Sequence, residues 1–272
     1  MKKQLFLILT MFSAIIYSQE NCFIYPEGSN ERKACDLVYE ALEYKQGSRK
    51  SQMLFDSILN LNPKYAWVYA QKSVPYFKRG FIIEGLKLLD KAVDLDPKSH
   101  LCYRAYWYFQ NRNYKLCIKD LETYYALPNA YKHEMSPGGD KDMRIILGMS
   151  YAKLGNLTKG ISVIETCIES YKNQDYIGFV DYHILGMLYY KNKEYDKALK
   201  VFKKQMTITE DYADSYYYMG LTYKALSQFK KAKTQFKKAI LKFQEANRMR
   251  NGYLCFKVYL SDAIYEFDSI IN

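Results

Sequence analysis

The residue types that carry chemistry are present in this sequence, but not at the spacings that chemistry requires. The three histidines, His100, His133 and His183, are scattered, and none has a second ligand one helical turn away as a zinc-binding HExxH segment would. The six cysteines include no CxxC pair. No GxSxG elbow, phosphate-cradling glycine loop or dinucleotide fingerprint occurs. Carboxylates are plentiful, yet nothing in their order pairs two of them for acid–base work. The expectation is therefore a chain with no catalytic, cofactor-binding or metal site. What the sequence does offer is binding surface: 29 tyrosines, 14 phenylalanines and 10 methionines, with aromatics forming 17% of the chain. Tyrosine buries a ring and keeps a polar tip, which suits half-buried helix faces.

Charge is uneven. The formal net charge is +11, and residues 191–250 hold fifteen Lys or Arg against six Asp or Glu. Lys2 and Lys3 precede an apolar run from Leu5 to Ile16, and Tyr17-Ser18-Gln19 follows. A basic start, an apolar stretch too short to span a bilayer and a small residue before a polar break describe a secretory signal at 1–18. A retained membrane anchor is the other reading of the same run. Export, to a periplasm or beyond the cell, would permit disulfides. Cys22 and Cys35 are the one pair entertained as a bridge, tying an extended segment at 19–33 to the first helix. Cys117 and Cys167 occupy small buried places and read as inert thiols.

The elements that must position these side chains repeat. Residues 147–169 (LGMSYAKLGNLTKGISVIETCIE), 185–206 and 219–240 align on Gly148, Gly186 and Gly220, separated by 38 and 34 residues. Tyr151, Tyr189 and Tyr223 follow three places after each glycine. Leu157, Tyr195 and Phe229 follow nine after, then Gly160, Ala198 and Ala232, then Ile164, Phe202 and Phe236. Such a period marks stacked supersecondary units. Each unit reads as two helices with a break between them, at Leu154-Gly155-Asn156 or Lys191-Asn192-Lys193. The glycine of the first helix and the small residue of the second should meet where the helices cross.

This pattern resembles the tetratricopeptide repeat family. Earlier copies at 66–97 (Tyr76, Gly80, Gly85, Leu89, Ala92, Asp96-Pro97) and from Leu101 to Leu121 continue it, and a degenerate copy covers 34–63. The resemblance implies an all-α, right-handed superhelical solenoid of helix-turn-helix repeats. Three upstream repeats at 34–127, a loop at 128–140 (PNAYKHEMSPGGD) where the stack could kink, and three downstream repeats at 141–246 follow from it. Residues 247–272 are expected to supply a C-terminal capping helix.

In that family one side of each first helix packs inward and the other lines a concave groove. Carried over, the groove side comprises Ala70, Val74 and Phe77, then Cys102, Tyr106 and Phe109. Ile145 and Met149 follow, then His183, Met187 and Tyr190, and last Tyr217 and Leu221. A channel of this kind would take an apolar peptide or amphipathic helix of a partner protein. The lysine and asparagine clamp that some members use for a peptide carboxylate has no match at these positions. Two other readings stay open: ordinary packing on that side, or a groove filled by the chain's own C-terminal helix or by a second copy. The lysines of the second helices, Lys197, Lys200, Lys203 and Lys204, then Lys230, Lys231, Lys233, Lys237 and Lys238, fall on the convex side. There they read as a solvated face, with peripheral contact to an anionic envelope surface as the alternative. No base-reading motif accompanies the charge, so nucleic acid is not an expected partner.

Overall fold

The structure is a computed structural model that describes residues 21–173, 177–208, 212–249 and 257–270. The signal segment expected at 1–18 lies outside them. Among the described residues the chain is helical, with an isolated bridge between Met135 and Asp142 and no strand. It divides into two compact units, Met1–Leu95 and Asp96–Asn272.

The first unit holds a 3-10 turn at Cys22–Ile24 and four helices, α1 (Asn30–Glu43), α2 (Arg49–Leu61), α3 (Ala66–Lys78) and α4 (Ile82–Leu95). The segment expected to be extended at 19–33 is helical in part over its described residues 21–33. Asn21 caps the 3-10 turn and Ser29 caps α1, accepting from the Arg32 amide, so α1 begins at Asn30. Each capping oxygen satisfies an amide that the first turn would otherwise leave open. Cys22 and Cys35 form a disulfide with Cα atoms 5.6 Å apart, fastening the 3-10 turn to α1. Helices α1 and α2 close over Ala34, Val38, Ala41, Phe55 and Ile58, joined by Val68 of α3.

The second unit holds α5 (Pro97–Gln110), α6 (Tyr114–Tyr125), α7 (Met143–Lys153), α8 (Leu157–Glu169), α9 (Asp181–Lys191), α10 (Tyr195–Ile208), α11 (Ala213–Ala225), α12 (Phe229–Gln244) and α13 (Leu260–Asp268). These are four antiparallel pairs followed by one short helix. Between paired helices the chain reverses through a left-handed residue at one fixed register. It is Arg112, Gly155, Lys193 and Ser227 in the four pairs, with φ of 60°, 88°, 62° and 57°.

The helix crossings obey the glycine rule. A Cβ on Gly148 would stand 2.4 Å from Ile164 and 2.8 Å from the Gly160 carbonyl, and one on Gly186 or Gly220 would stand 2.6 or 2.5 Å from the ring of Phe202 or Phe236. Both rings are fully buried. In the first unit the same contact is inverted: Gly85 sits on the second helix and Phe77 of the first lies 2.7 Å from its absent Cβ. In α5 and α6 the corresponding register positions are Ala105 and Cys117, both fully buried.

The 128–140 loop does not part the molecule into blocks of three repeats. The division falls at Leu95 instead, because the loop is bonded into the second unit from several sides. Tyr124 donates to Glu134 (3.1 Å), the Met143 amide donates to the Glu134 carbonyl (2.8 Å), and Asp142 gathers Arg144 (2.9 Å), His133 (3.2 Å) and the Tyr171 hydroxyl (3.0 Å).

Candidate interaction surface

The eleven positions Val74, Phe77, Tyr106, Phe109, Ile145, Met149, His183, Met187, Tyr190, Tyr217 and Leu221 do not form an open wall. Phe77, Tyr106, Phe109, Ile145, Met149, His183 and Met187 are buried, as are Ala70 and Cys102; Val74, Tyr190, Tyr217 and Leu221 are half-buried. The reason lies in α7 and α9, whose residues Ile145–Ala152 and Asp181–Tyr189 are buried without interruption. A helix apolar on every side is enclosed on every side. Phe77 is spent on Gly85. Tyr106 meets the Trp107 ring edge-on at 5.6 Å and Phe109 meets Tyr114 at 5.8 Å. His183 lies against Phe202 (5.8 Å) and Tyr218 (5.7 Å), with Nδ1 3.1 Å from the Ser215 hydroxyl. Burial lowers its pKa to about 3, so the ring is neutral.

At the last pair the wall is covered from within the chain. Phe267 and Ile270 at the end of α13 pack on Ala232 and Phe236, and Tyr217, Leu221 and Tyr223 join the same cluster. Lys224 fixes α13 through Glu266 (2.7 Å) and Ser269 (2.9 Å).

The exposed surface of the second unit is built by lysines standing over tyrosines, of which Tyr151, Tyr182, Tyr189 and Tyr216 are themselves buried and Tyr223 half-buried. Lys159, Lys197 and Lys231 each lie eleven places after the repeat glycine, and each ammonium stands over the tyrosine three places after that glycine. The distances to Tyr151, Tyr189 and Tyr223 are 4.2, 5.3 and 5.6 Å. A second row pairs Lys204 with Tyr182 (5.4 Å) and Lys238 with Tyr216 (5.3 Å), again at matching register. These are cation–π distances. Between α8, α9 and α10 the rows border a cleft of about 450 Å³, floored by Tyr182, Leu185 and Tyr189. Glu165 and Glu169 line one wall and Lys197, Lys200 and Lys204 the other. By sequence Lys197, Lys200, Lys204, Lys231 and Lys238 read as a solvated face, with contact to an anionic envelope surface as the alternative. Their signal was the constant offset from the tyrosines, which a count of charges does not register.

The described thiols of this unit are enclosed and inert. Cys102, Cys117 and Cys167 are buried, and burial pushes the Cys117 thiol up to about 12. Among the described residues no cluster of three or more His, Cys, Asp or Glu could hold a metal ion.

Tandem antiparallel helix pairs with a glycine-sized crossing and a capping helix define a helical-hairpin repeat protein. Residues 142–174, 182–212 and 213–241 each match the tetratricopeptide repeat family. Over that span the chain carries three repeats of that type. Among solved structures, PilF of Pseudomonas aeruginosa is similar with a TM-score of 0.59 and 14% identity, covering 88% of this chain and 97% of that one. PilW, described as a type IV pilus biogenesis factor, gives 0.58 and 14%, over 82% and 96%. YrrB, described as a TPR protein with an unusual peptide-binding site, gives 0.55 and 22%, over 68% and 90%. At these identities the likeness is one of fold. A curated relative, General transcription factor 3C polypeptide 3 of Homo sapiens, is 25% identical over 171 residues, or 61% of this chain, and the match spans 18% of that protein.

Proposed function

We propose that this chain is an exported, non-catalytic scaffold that holds a partner protein on the lysine- and tyrosine-lined face of its second unit. The fold supports a scaffold because repeat stacks present long surfaces built from one recurring side-chain pattern. The observation that carries the reading is the open cleft between α8, α9 and α10. Tyrosine floors and charged rims are the composition that interfaces favour. An apolar peptide in the channel of first helices is the poorer fit, since the side chains that would grip it are already packed. Export is supported by the Lys2–Ser18 pattern and by the Cys22–Cys35 bridge, which suits an oxidising compartment.

A photo-crosslinking residue at Lys200, on the rim of the cleft, tests this in cells. The expected result is a discrete crosslinked partner from Lys200 and none from Glu84, an exposed position of α4 in the first unit. Equal crosslinking from both positions, or from neither, would overturn it.

The seating of α13 on Tyr217 and Leu221 favours a second reading, in which the first-helix channel is filled by the chain's own C-terminal helix. Deleting residues 257–272 should then raise binding of an apolar dye by the otherwise folded protein. Unchanged dye binding would argue against a filled channel.

A further inference from the structure

We propose that the lysine-rich junction of α10, α11 and α12 binds an acidic segment of a partner protein, whose carboxylate takes the place that a glutamate of this chain holds at each of the two preceding helix junctions. These junctions are called clefts by analogy with the one between α8, α9 and α10. This rests on the scaffold reading and adds the chemistry of the partner.

The preceding clefts supply the template. In the first, the Tyr151 hydroxyl donates to Glu122 of α6, and the Lys159 ammonium lies 2.9 Å from the same carboxylate while standing over the Tyr151 ring. The Tyr151 and Lys159 hydrogen bonds hold the Glu122 carboxyl below the ordinary carboxylate range. In the second, the Tyr189 hydroxyl donates to Glu165 of α8, and Lys197 stands over the ring within reach of the Glu165 charge. Glu122 and Glu165 are equivalent: they lie seventeen places after Ala105 and Gly148.

The third cleft keeps every part of this arrangement except the acid. Tyr223 stands at the place of Tyr151 and Tyr189, with Lys231 over its ring. Tyr216 adds a second ring beneath Lys238. Seventeen places after Gly186, however, the residue is Lys203. Of the described acids of these helices and their ends, Asp196 is exposed in the first turn of α10, seven places before Lys203, and the other three are engaged elsewhere. Glu194 is bonded to Lys197 and Asn192, Asp214 is buried and accepts from the Met249 amide, and Glu245 pairs with Lys242. Lys203 and Lys231 are exposed. Lys231, which also donates to Gln228 (2.8 Å), Lys238 and the Tyr223 phenol thus stand where two related clefts close on a carboxylate, and Lys203 holds the register of the missing acid. Tyr223 is half-buried, with part of it against the Phe267 and Ile270 cluster; a single side chain can reach what that cluster leaves exposed, whereas a flat lipid surface would meet only the lysine tips. A peptide carboxylate is therefore the better match, reinforced by charge-assisted hydrogen bonds.

The test is binding of fluorescein-labelled octaglutamate to the full chain by anisotropy. Lys203→Glu restores the internal acid and should weaken binding about tenfold, the loss of roughly one charge-assisted contact. Tyr223→Phe, which changes no charge, should weaken it about threefold by removing a donor. Lys87→Glu on α4, a charge-matched control in the first unit, should leave binding unchanged. Thermal melts of each variant check that the fold persists. Equal weakening by Lys87→Glu, or full binding by Tyr223→Phe, would overturn the proposal in favour of diffuse attraction. Capture of phosphatidylglycerol vesicles without octaglutamate binding would overturn it in favour of a membrane surface. If octaglutamate fails while the Lys200 crosslink persists, the acidic segment falls and the scaffold stands. If octaglutamate binds by these criteria and no crosslinked partner exists, the scaffold reading alone falls.

Discussion

At the scale of single residues, two substitutions in the repeat register have opposite expected signs. Gly148 and Gly160 bring helix backbones together, so Gly148→Ala meets a carbonyl and cannot be absorbed by a side-chain rotation. Overpacking of this kind costs about 1–3 kcal/mol, and the gain of about 1 kcal/mol in helix propensity offsets part of it. Gly186→Ala meets only the edge of the Phe202 ring and should cost less. Denaturant midpoints of the two variants check the ranking, and a more stable Gly148→Ala would contradict the crossing geometry. Ser227 carries the left-handed turn between α11 and α12 at φ 57°. Ser227→Gly relieves about 1–2 kcal/mol of steric cost against about 0.5–1 kcal/mol of added chain entropy. A rise in melting temperature is expected, and a fall would show that the serine side chain does more than fill the turn. The repeat glycines and the residues they touch were legible in the sequence, because close approach demands a missing side chain at a fixed offset. Lys203 was not, because its meaning depends on Glu122 and Glu165 in neighbouring repeats and on tyrosines in a different helix.

At the scale of elements, α9 carries two buried groups with contrary titrations. Burial raises the Asp181 carboxyl to about 6, the Gly178 amide (2.8 Å) and nearby Lys141 acting against that rise and Asp142 and Asp140 with it. Burial lowers His183, two residues on, to about 3. Between about pH 4 and 6 the folded state holds more protons at Asp181 than the unfolded state, so this group makes stability fall as pH rises. Over roughly pH 3 to 6.5 the folded state holds fewer at His183, so that group makes stability rise with pH. In the intact chain the two slopes oppose one another. Asp181→Asn should therefore leave a melting temperature that climbs from pH 4 to 6, and His183→Asn one that declines over the same window. Parallel profiles for the two variants would refute the pairing. Neither burial was visible beforehand. YHILGMLYY is apolar around its whole circumference, and sequence alone did not say whether the far side met solvent or protein. The continuous burial of α9 answers that, and it converts the expected groove residues Met187 and His183 into interior.

At the scale of the whole molecule, the helical class followed from period and spacing, while the boundary between compact units did not. Pro128, Pro137 and the Gly138-Gly139 pair look like a divider, yet Glu134 and Asp142 fasten that loop to its neighbours, and no composition signal reports such bonding. The first unit, smaller and with fewer helix pairs, is where the Cys22–Cys35 bridge lies. A thirteen-residue separation corresponds to about 3 kcal/mol of loop entropy removed from the unfolded chain. Reductant should lower the melting of α1–α4 and leave α5–α13 unaltered, as followed by calorimetry with and without dithiothreitol. An unshifted first-unit transition would mean that the bridge adds no stability.

The position of α13 has a further consequence. Any array of like modules finishes in an unmatched oily edge, and a second molecule could continue the row there, producing filaments from a single sequence. Phe267 and Ile270 occupy that edge on α12, with Lys224 as the latch. The nine residues of α13 cover the apolar edge that such growth would use.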